Sequence, residues 1–212
     1  MRVIGIWRYP VKSIAGERLS GAEMTTTGLV GDRVVQVYDR HDRIVTARTF
    51  PRLLQLRATL GEDGEPLVDG LPWRSPQVAR RVEAAVAPGA RLARFDGPER
   101  FDVLPLLVCT DGAVSMFGRD VRRLRPNLLI GGVDRVAERQ WANALLRLPG
   151  AEVRLVDLRD RCVMTTYDPD TIEQDPDVLR DIVRRFGGQL CLNATVTRAG
   201  RVEEGDSVQA IV

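Results

Sequence analysis

The chain has 212 residues, of which 44% are hydrophobic and 28% charged, a composition that suits one large domain or two small ones sharing a core and excludes long disorder. Its 31 basic and 29 acidic residues nearly cancel to a net charge of +2, so the dominant basic face of a nucleic-acid binder is not expected. No apolar run approaches the roughly 20 residues needed to span a bilayer, so no membrane span is expected either.

The N-terminal stretch alternates into a strand at Val3, Ile4, Ile6 and Trp7, and it lacks a signal-peptide core, which points to a cytoplasmic protein. Val34 to Tyr38 predicts a second strand. Asp42-Arg43 turns the chain into a third at Ile44 to Ala47, and the alternation of Leu53 to Leu60 predicts a fourth. Ser75-Pro76 is an N-cap followed by a first-turn proline, opening a helix with Val78, Val82 and Val86 on one face. Gly97-Pro98 is the best break between a β-rich region over 1–97 and a second unit over 98–212.

In the second unit, Val103 to Cys109 predicts an apolar strand, and Thr110 caps a helix through Phe117. Leu128 to Ile130 and Val153 to Leu158 predict buried strands. Asp175-Pro176-Asp177 starts a helix with an apolar stripe at Val178, Leu179, Ile182, Val183 and Phe186, stopped by Gly187-Gly188. Leu190 to Val196 and Val208 to Val212 close the chain as strands. Many short strands with a few helices favour a mainly β, barrel-type architecture over alternating βα units.

Three cysteines, widely spaced and odd in number, predict neither a disulfide framework nor a structural zinc site. Cys109 and Cys191 lie in apolar strands and are expected to be inert core residues. Cys162 follows a strand and has Arg159 and Arg161 close by, which favours the thiolate that binds metals or attacks electrophiles. On local chemistry alone, a buried apolar cysteine is still the commoner outcome. The single lysine, Lys12, stands beside Ser13 after a proline, a pairing that suits a phosphate or an ordinary surface loop. Arg33 ends the turn "GLVGDR", and Arg125 and Asn127 flank a proline at the mouth of a strand. The neighbouring arginines at 119, 122 and 123 suggest a small anionic ligand better than a polymer. His41 lies in the polar stretch "DRHDR", which reads as an exposed turn, and nothing places it near a nucleophile, which argues against Ser-His or Cys-His catalysis.

Taken together, "YPVKSIAGE", "GLVGDR" and "DRIVTARTFPRL" resemble the β-barrel region that precedes the MOSC domain in the MOSC family, a family that includes the mitochondrial amidoxime-reducing component. "LRPNLLIGG", "AERQW", "RCVMTTYDPDT" and "GRVEEGDSV" resemble the MOSC domain itself. The resemblance implies a MOSC-type β-barrel with flanking helices and a molybdenum–molybdopterin cofactor. It makes Cys162 the metal ligand and catalytic centre, with Lys12, Ser13, Arg33, Thr110, Arg125, Asn127 and Arg161 binding the cofactor. The implied activity is reduction of small N-hydroxylated compounds, with electrons from a separate ferredoxin- or flavoprotein-type donor, since the chain has no cysteine cluster for an iron–sulfur centre. A non-enzymatic cofactor carrier would use the same residues.

Overall fold

A computed structural model describes residues 1–95 and 97–212. In chain order the first strands are β1 (Arg2–Arg8), β2 (Glu17–Leu19), β3 (Gly21–Thr25), β4 (Gly28–Leu29), β5 (Val35–Tyr38), β6 (Ile44–Val45), β7 (Ala58–Leu60), β8 (Pro66–Val68) and β9 (Leu71–Pro72). Helix α1 (Pro76–Ala85) and β10 (Arg91–Arg94) follow, then β11 (Leu106–Thr110), α2 (Asp111–Phe117), β12 (Leu128–Gly131), β13 (Leu145–Arg147) and β14 (Glu152–Asp160). The chain closes with α3 (Pro176–Phe186), β15 (Gln189–Arg198), β16 (Gly200–Glu203) and β17 (Gln209–Ile211). The architecture is mainly β with flanking helices, as the sequence predicts.

An eight-stranded sheet runs in the order β17-β13-β14-β15-β11-β12-β1-β2. Its pairings are antiparallel except β11 with β12, which are parallel. Smaller sheets join β10-β5-β6, β16-β3-β4 and β7-β8-β9. The two halves therefore exchange strands. β1 and β2 sit in the sheet built largely by the second half, and β3 pairs with β16 across the chain.

The core forms where alternating apolar residues of these strands meet. Val3, Ile6, Val108, Leu128, Ile130, Leu155 and Leu192 pack in one cluster, each at most 1% exposed. A second cluster gathers Val35 and Val37 of β5 against Val78 and Val82 of α1. A third packs Phe117, Val178, Ile182 and Phe186 of the helices onto one face of β11 and β15. Full burial of each such side chain contributes about 1.5–3 kcal/mol.

Helix ends follow local chemistry. The Ser75 hydroxyl accepts from the Val78 amide and Pro76 opens α1. Asp175 accepts from the Asp177 amide at the start of α3, which stops at Gly187 with φ +65°. Leu179 and Val183 fall on the outer side of α3's apolar stripe, and Val183 is 57% exposed.

Three expectations need correction. Leu53 to Leu60 is not one strand, because Pro51 opens a 3-10 turn over Pro51–Gln55 and pairing resumes only at β7. The strand expected from Val103 begins at Leu106, just after Pro105, whose ring nitrogen carries no hydrogen for a ladder. Cys109 and Cys191 are not separate inert thiols; they form a disulfide across 82 residues. Register explains it. Leu107 faces Asn193 and Val108 faces Leu192 in the antiparallel pair, so the next step sets Cys109 opposite Cys191. Without reductant, a thiol-specific reagent should titrate one cysteine per denatured chain, and three after reduction; three in both cases would dissolve the bridge.

Candidate functional site

The segments that carry the motifs converge on one end of the large sheet. There β1 ends at Arg8, β12 begins at Leu128 and β14 ends at Asp160. A cavity of about 100 Å³ opens at this end, lined by Lys12, Ser13, Arg33, Arg125, Asn127, Arg161 and Cys162 among others. Arg48, Arg123 and Arg159 also line it, so seven cationic side chains meet two lining carboxylates, Asp102 and Asp160. A larger cavity of about 740 Å³ shares the wall formed by Arg123, Arg125 and Met164.

The buried carboxylate of Asp32 organises the approach. It accepts from the Tyr9 amide at 2.7 Å and from Asn127 Nδ2 at 3.3 Å, and it pairs with Arg33. Asn127 spends its remaining polar capacity on the scaffold. Its Oδ1 accepts from the Leu107 amide at 3.1 Å and its Nδ2 also donates to the Trp7 carbonyl at 3.2 Å. Asn127 thus lines the cavity while joining β1 to the strands beside it. The Tyr9 ring lies under two guanidinium groups, with Arg125 at 4.2 Å and Arg33 at 5.0 Å from its centroid.

Electrostatics reflect this crowding. Burial pulls the Arg125 guanidinium down to about 10 and the Arg161 guanidinium to about 10, the latter with help from Arg159. Both remain charged at neutral pH. Burial also pushes the Tyr9 hydroxyl up to about 12, and it donates to the Pro126 carbonyl at 3.1 Å. Burial alone would raise the Asp102 carboxyl, yet Lys12, Arg48 and Arg159 outweigh it and hold the group below its ordinary range. Arg161 donates from Nη2 to the Leu124 carbonyl at 2.8 Å, while its Nε is buried without a partner.

Cys162 is a free, half-buried thiol at the N-terminal end of a 3-10 turn over Val163–Thr166. The Thr165 amide and hydroxyl both donate to the Cys162 carbonyl, at 3.0 and 2.9 Å, which fixes the backbone and leaves the sulfur uncommitted to the turn. Arg123 clamps the far end of that turn by donating to the carbonyls of Thr165 and Thr166 and pairing with Asp168. Arg48 lines the same cavity as Cys162, and its positive charge faces the thiol side.

Thr110 does not belong with the others. It is fully buried, its hydroxyl accepts from the Ala113 amide to cap α2 and donates to Glu138 at 3.1 Å, and it does not line the cavity. The sequence reading missed Asp102, gave no role to Arg48 within "DRIVTARTFPRL", and treated Asp32 as a turn residue. Only the acidic-basic pairing of "GLVGDR" hinted at the last.

Family models match both parts of the chain. Residues 1–86 match the MOSC N-terminal beta barrel domain and residues 114–209 match the MOSC domain. The chain belongs to the MOSC-domain family, with its MOSC-type β-barrel fold and flanking helices. Among its relatives is mitochondrial amidoxime-reducing component 1 of Homo sapiens, 27% identical over an alignment covering 80% of this chain and 67% of that protein. Another is a molybdenum cofactor sulfurase of Caenorhabditis briggsae, 23% identical over 98% of this chain but only 35% of the sulfurase. These names tie the chain to molybdenum-cofactor proteins. The YUAD protein of Bacillus subtilis shares the fold, with a TM-score of 0.55 at 14% identity over 99% of this chain and 94% of that one.

The position of Thr110 has a direct consequence. Thr110→Ala should cost about 1–2 kcal/mol of stability through the lost cap, visible as a lower denaturation midpoint, with anion and metal binding unchanged. A loss of binding without a loss of stability would return Thr110 to the site.

Proposed function

We propose that the chain binds a molybdenum–molybdopterin cofactor through Cys162 and the cationic cavity, and reduces the N–O bond of small N-hydroxylated compounds. The observation that carries this reading is a free, half-buried thiol beside a cavity whose buried Arg161 Nε has no partner among the described residues. A buried guanidinium N–H without an acceptor suits an anionic group brought by a ligand. Among the described residues no group of three or more His, Cys, Asp or Glu side chains could hold a metal unaided. One soft thiolate therefore suits a metal that brings further ligands of its own, as a dithiolene-bound ion does.

In this reading Lys12, Ser13, Arg33, Arg125 and Arg161 hold the anionic and pterin portions, and Asn127 keeps their strands in register. Cys162 supplies the protein's sulfur to the metal, and its fixed carbonyl sets where that sulfur points. The bound cofactor supplies two-electron removal of oxygen, so that a hydroxylamine plus two electrons and two protons gives an amine and water. A separate protein delivers the electrons. Among the described residues no helix is long and apolar enough to cross a membrane. The division of the chain at Gly97-Pro98 into units of 1–97 and 98–212 belongs to the same proposal, with the cavity drawing on both.

The sulfurase relative, which aligns with nearly the whole chain, favours a second reading in which the protein carries the cofactor without turning it over. An amidoxime offered with a reduced viologen as donor separates the two, since a carrier retains molybdenum without forming amidine. Cys162→Ser should fold normally yet lose at least nine-tenths of its bound molybdenum by elemental analysis, together with any turnover. Full molybdenum content in that variant would remove Cys162 from the metal.

A further inference from the structure

Asp102 stands in the middle of the positive wall. Its Oδ1 lies 3.0 Å from Lys12 Nζ, and its Oδ2 lies 2.5 Å from Arg48 Nη2 and 3.7 Å from Arg159 Nη2. The anion is more loosely seated than two of its three partners. The Asp102 side chain is 33% exposed, against 12% for Lys12 and 19% for Arg159. Asp102 also lies between Phe101 and β11, outside any helix or strand, whereas the Lys12 amide is bonded to the Val35 carbonyl at 2.9 Å and Arg159 belongs to β14.

We propose that Lys12, Arg48 and Arg159 form a cradle for a small oxyanion, and that Asp102 is its internal competitor, displaced when an external oxyanion binds. The chemistry is shared. A carboxylate and a phosphate or sulfate oxygen offer guanidinium and ammonium groups the same charged acceptor, and Asp102 already pairs with three cations side by side. A dianion gains more from three cations than a monovalent carboxylate does. The cradle also keeps its remaining neighbours, because Arg33 and Arg161 line the same cavity. Removing the Asp102 charge leaves these cations without their nearest counter-ion and raises the attraction for an incoming anion.

The opposite role is physically reasonable and predicts the opposite result. If Asp102 merely holds the cations in place, its loss scatters them and weakens anion binding. Arg48 adds a link to the metal side, since it hydrogen-bonds Asp102 and lines the cavity together with Cys162. An oxyanion seated here therefore shares the cavity with the sulfur, whether it belongs to the cofactor's phosphate or to an anionic substrate.

The test uses the full chain purified from a host unable to make the cofactor, with inorganic phosphate as the calorimetric probe. Asp102→Asn should bind phosphate about tenfold more tightly than the unmodified chain, a change of about 1.4 kcal/mol. Equal or weaker binding by Asp102→Asn overturns the proposal. Arg159→Gln in the otherwise unmodified chain should weaken phosphate severalfold, and unchanged binding there would overturn it equally, so the test survives misfolding of either variant. Repeating the titration on cofactor-loaded Asp102→Asn separates the sources. If the gain disappears on loading, the cofactor fills the cradle; if it persists, the cradle takes a substrate anion. The inference rests on the reading of this cavity as an anionic-cofactor site, but phosphate affinity is measured without molybdenum, so its failure is distinct from loss of the Cys162 assignment.

Discussion

The buried carboxylate of Asp32 is the constraint on which the site depends. It is wholly shielded from solvent, a state that costs several kcal/mol for a charge unless partners compensate. Its partners come from separate stretches of chain: the Tyr9 amide after β1, the adjoining Arg33, and the Asn127 amide before β12. Its own main-chain carbonyl accepts from Arg100 Nε at 3.2 Å. One fully used carboxylate thus pins the loops bearing Lys12, Arg33 and Arg125 to a common corner of the sheet. If those segments separated, a buried charge would be left without compensation, so they move together or not at all.

That corner holds backbone in an unusual conformation. Ser13, Arg33 and Arg125 have φ values of +69°, +55° and +55°, in the left-handed region that residues with a Cβ seldom adopt. Each costs on the order of 1 kcal/mol and persists where surrounding bonds determine it. The Arg33 amide bonds to the Tyr9 carbonyl at 2.8 Å, and the Arg125 amide to the Arg122 carbonyl at 3.1 Å. Three such residues stand at one cavity, and two of them, Arg33 and Arg125, bring cationic side chains to it against their mutual repulsion. The Tyr9 ring between Arg33 and Arg125 offsets part of that repulsion, offering its negative face to both. Strain, aromatic contact and buried carboxylate together hold the positive charges around the cavity.

Much of this was legible in the sequence, for reasons that can be stated residue by residue. Caps and stops are local chemistry, so Ser75-Pro76, Thr110 and Asp175-Pro176 through Gly187 marked their helices correctly. The apolar strands β1, β12 and β15 declared themselves by composition. β3, β4 and β16 did not, because each is a run of two to five residues that opens on glycine and carries little periodicity. The motif order placed Lys12, Ser13, Arg33, Arg125, Asn127, Arg161 and Cys162 around one cavity. Thr110 shows the limit of that reasoning, since a cap signal fixes a helix end but not what lies beside it. Asp102 and Arg48 show another, because a charged residue in a loop reads the same whether it meets water or an opposing charge. The Cys109–Cys191 bridge was hidden because its partners become neighbours only through the register of β11 with β15.

The way the halves share strands decides how the cavity works. Lys12 follows β1, and Cys162 follows β14, yet both strands belong to the same eight-stranded sheet, connected through β12, β11 and β15. The distance between the lysine side and the thiol side is therefore set by ladder hydrogen bonds, with no hinge between two bodies. A ligand entering such a cavity meets donors already in position, and little ordering entropy opposes its binding. The segment that carries Asp102 lies outside the ladder, and its part-exposed carboxylate pairs with Lys12 and Arg159. A rigid cationic wall facing one displaceable anion favours exchange of charge for charge over movement of domains, so specificity in this cavity turns on how well an incoming anion replaces the one the chain itself supplies.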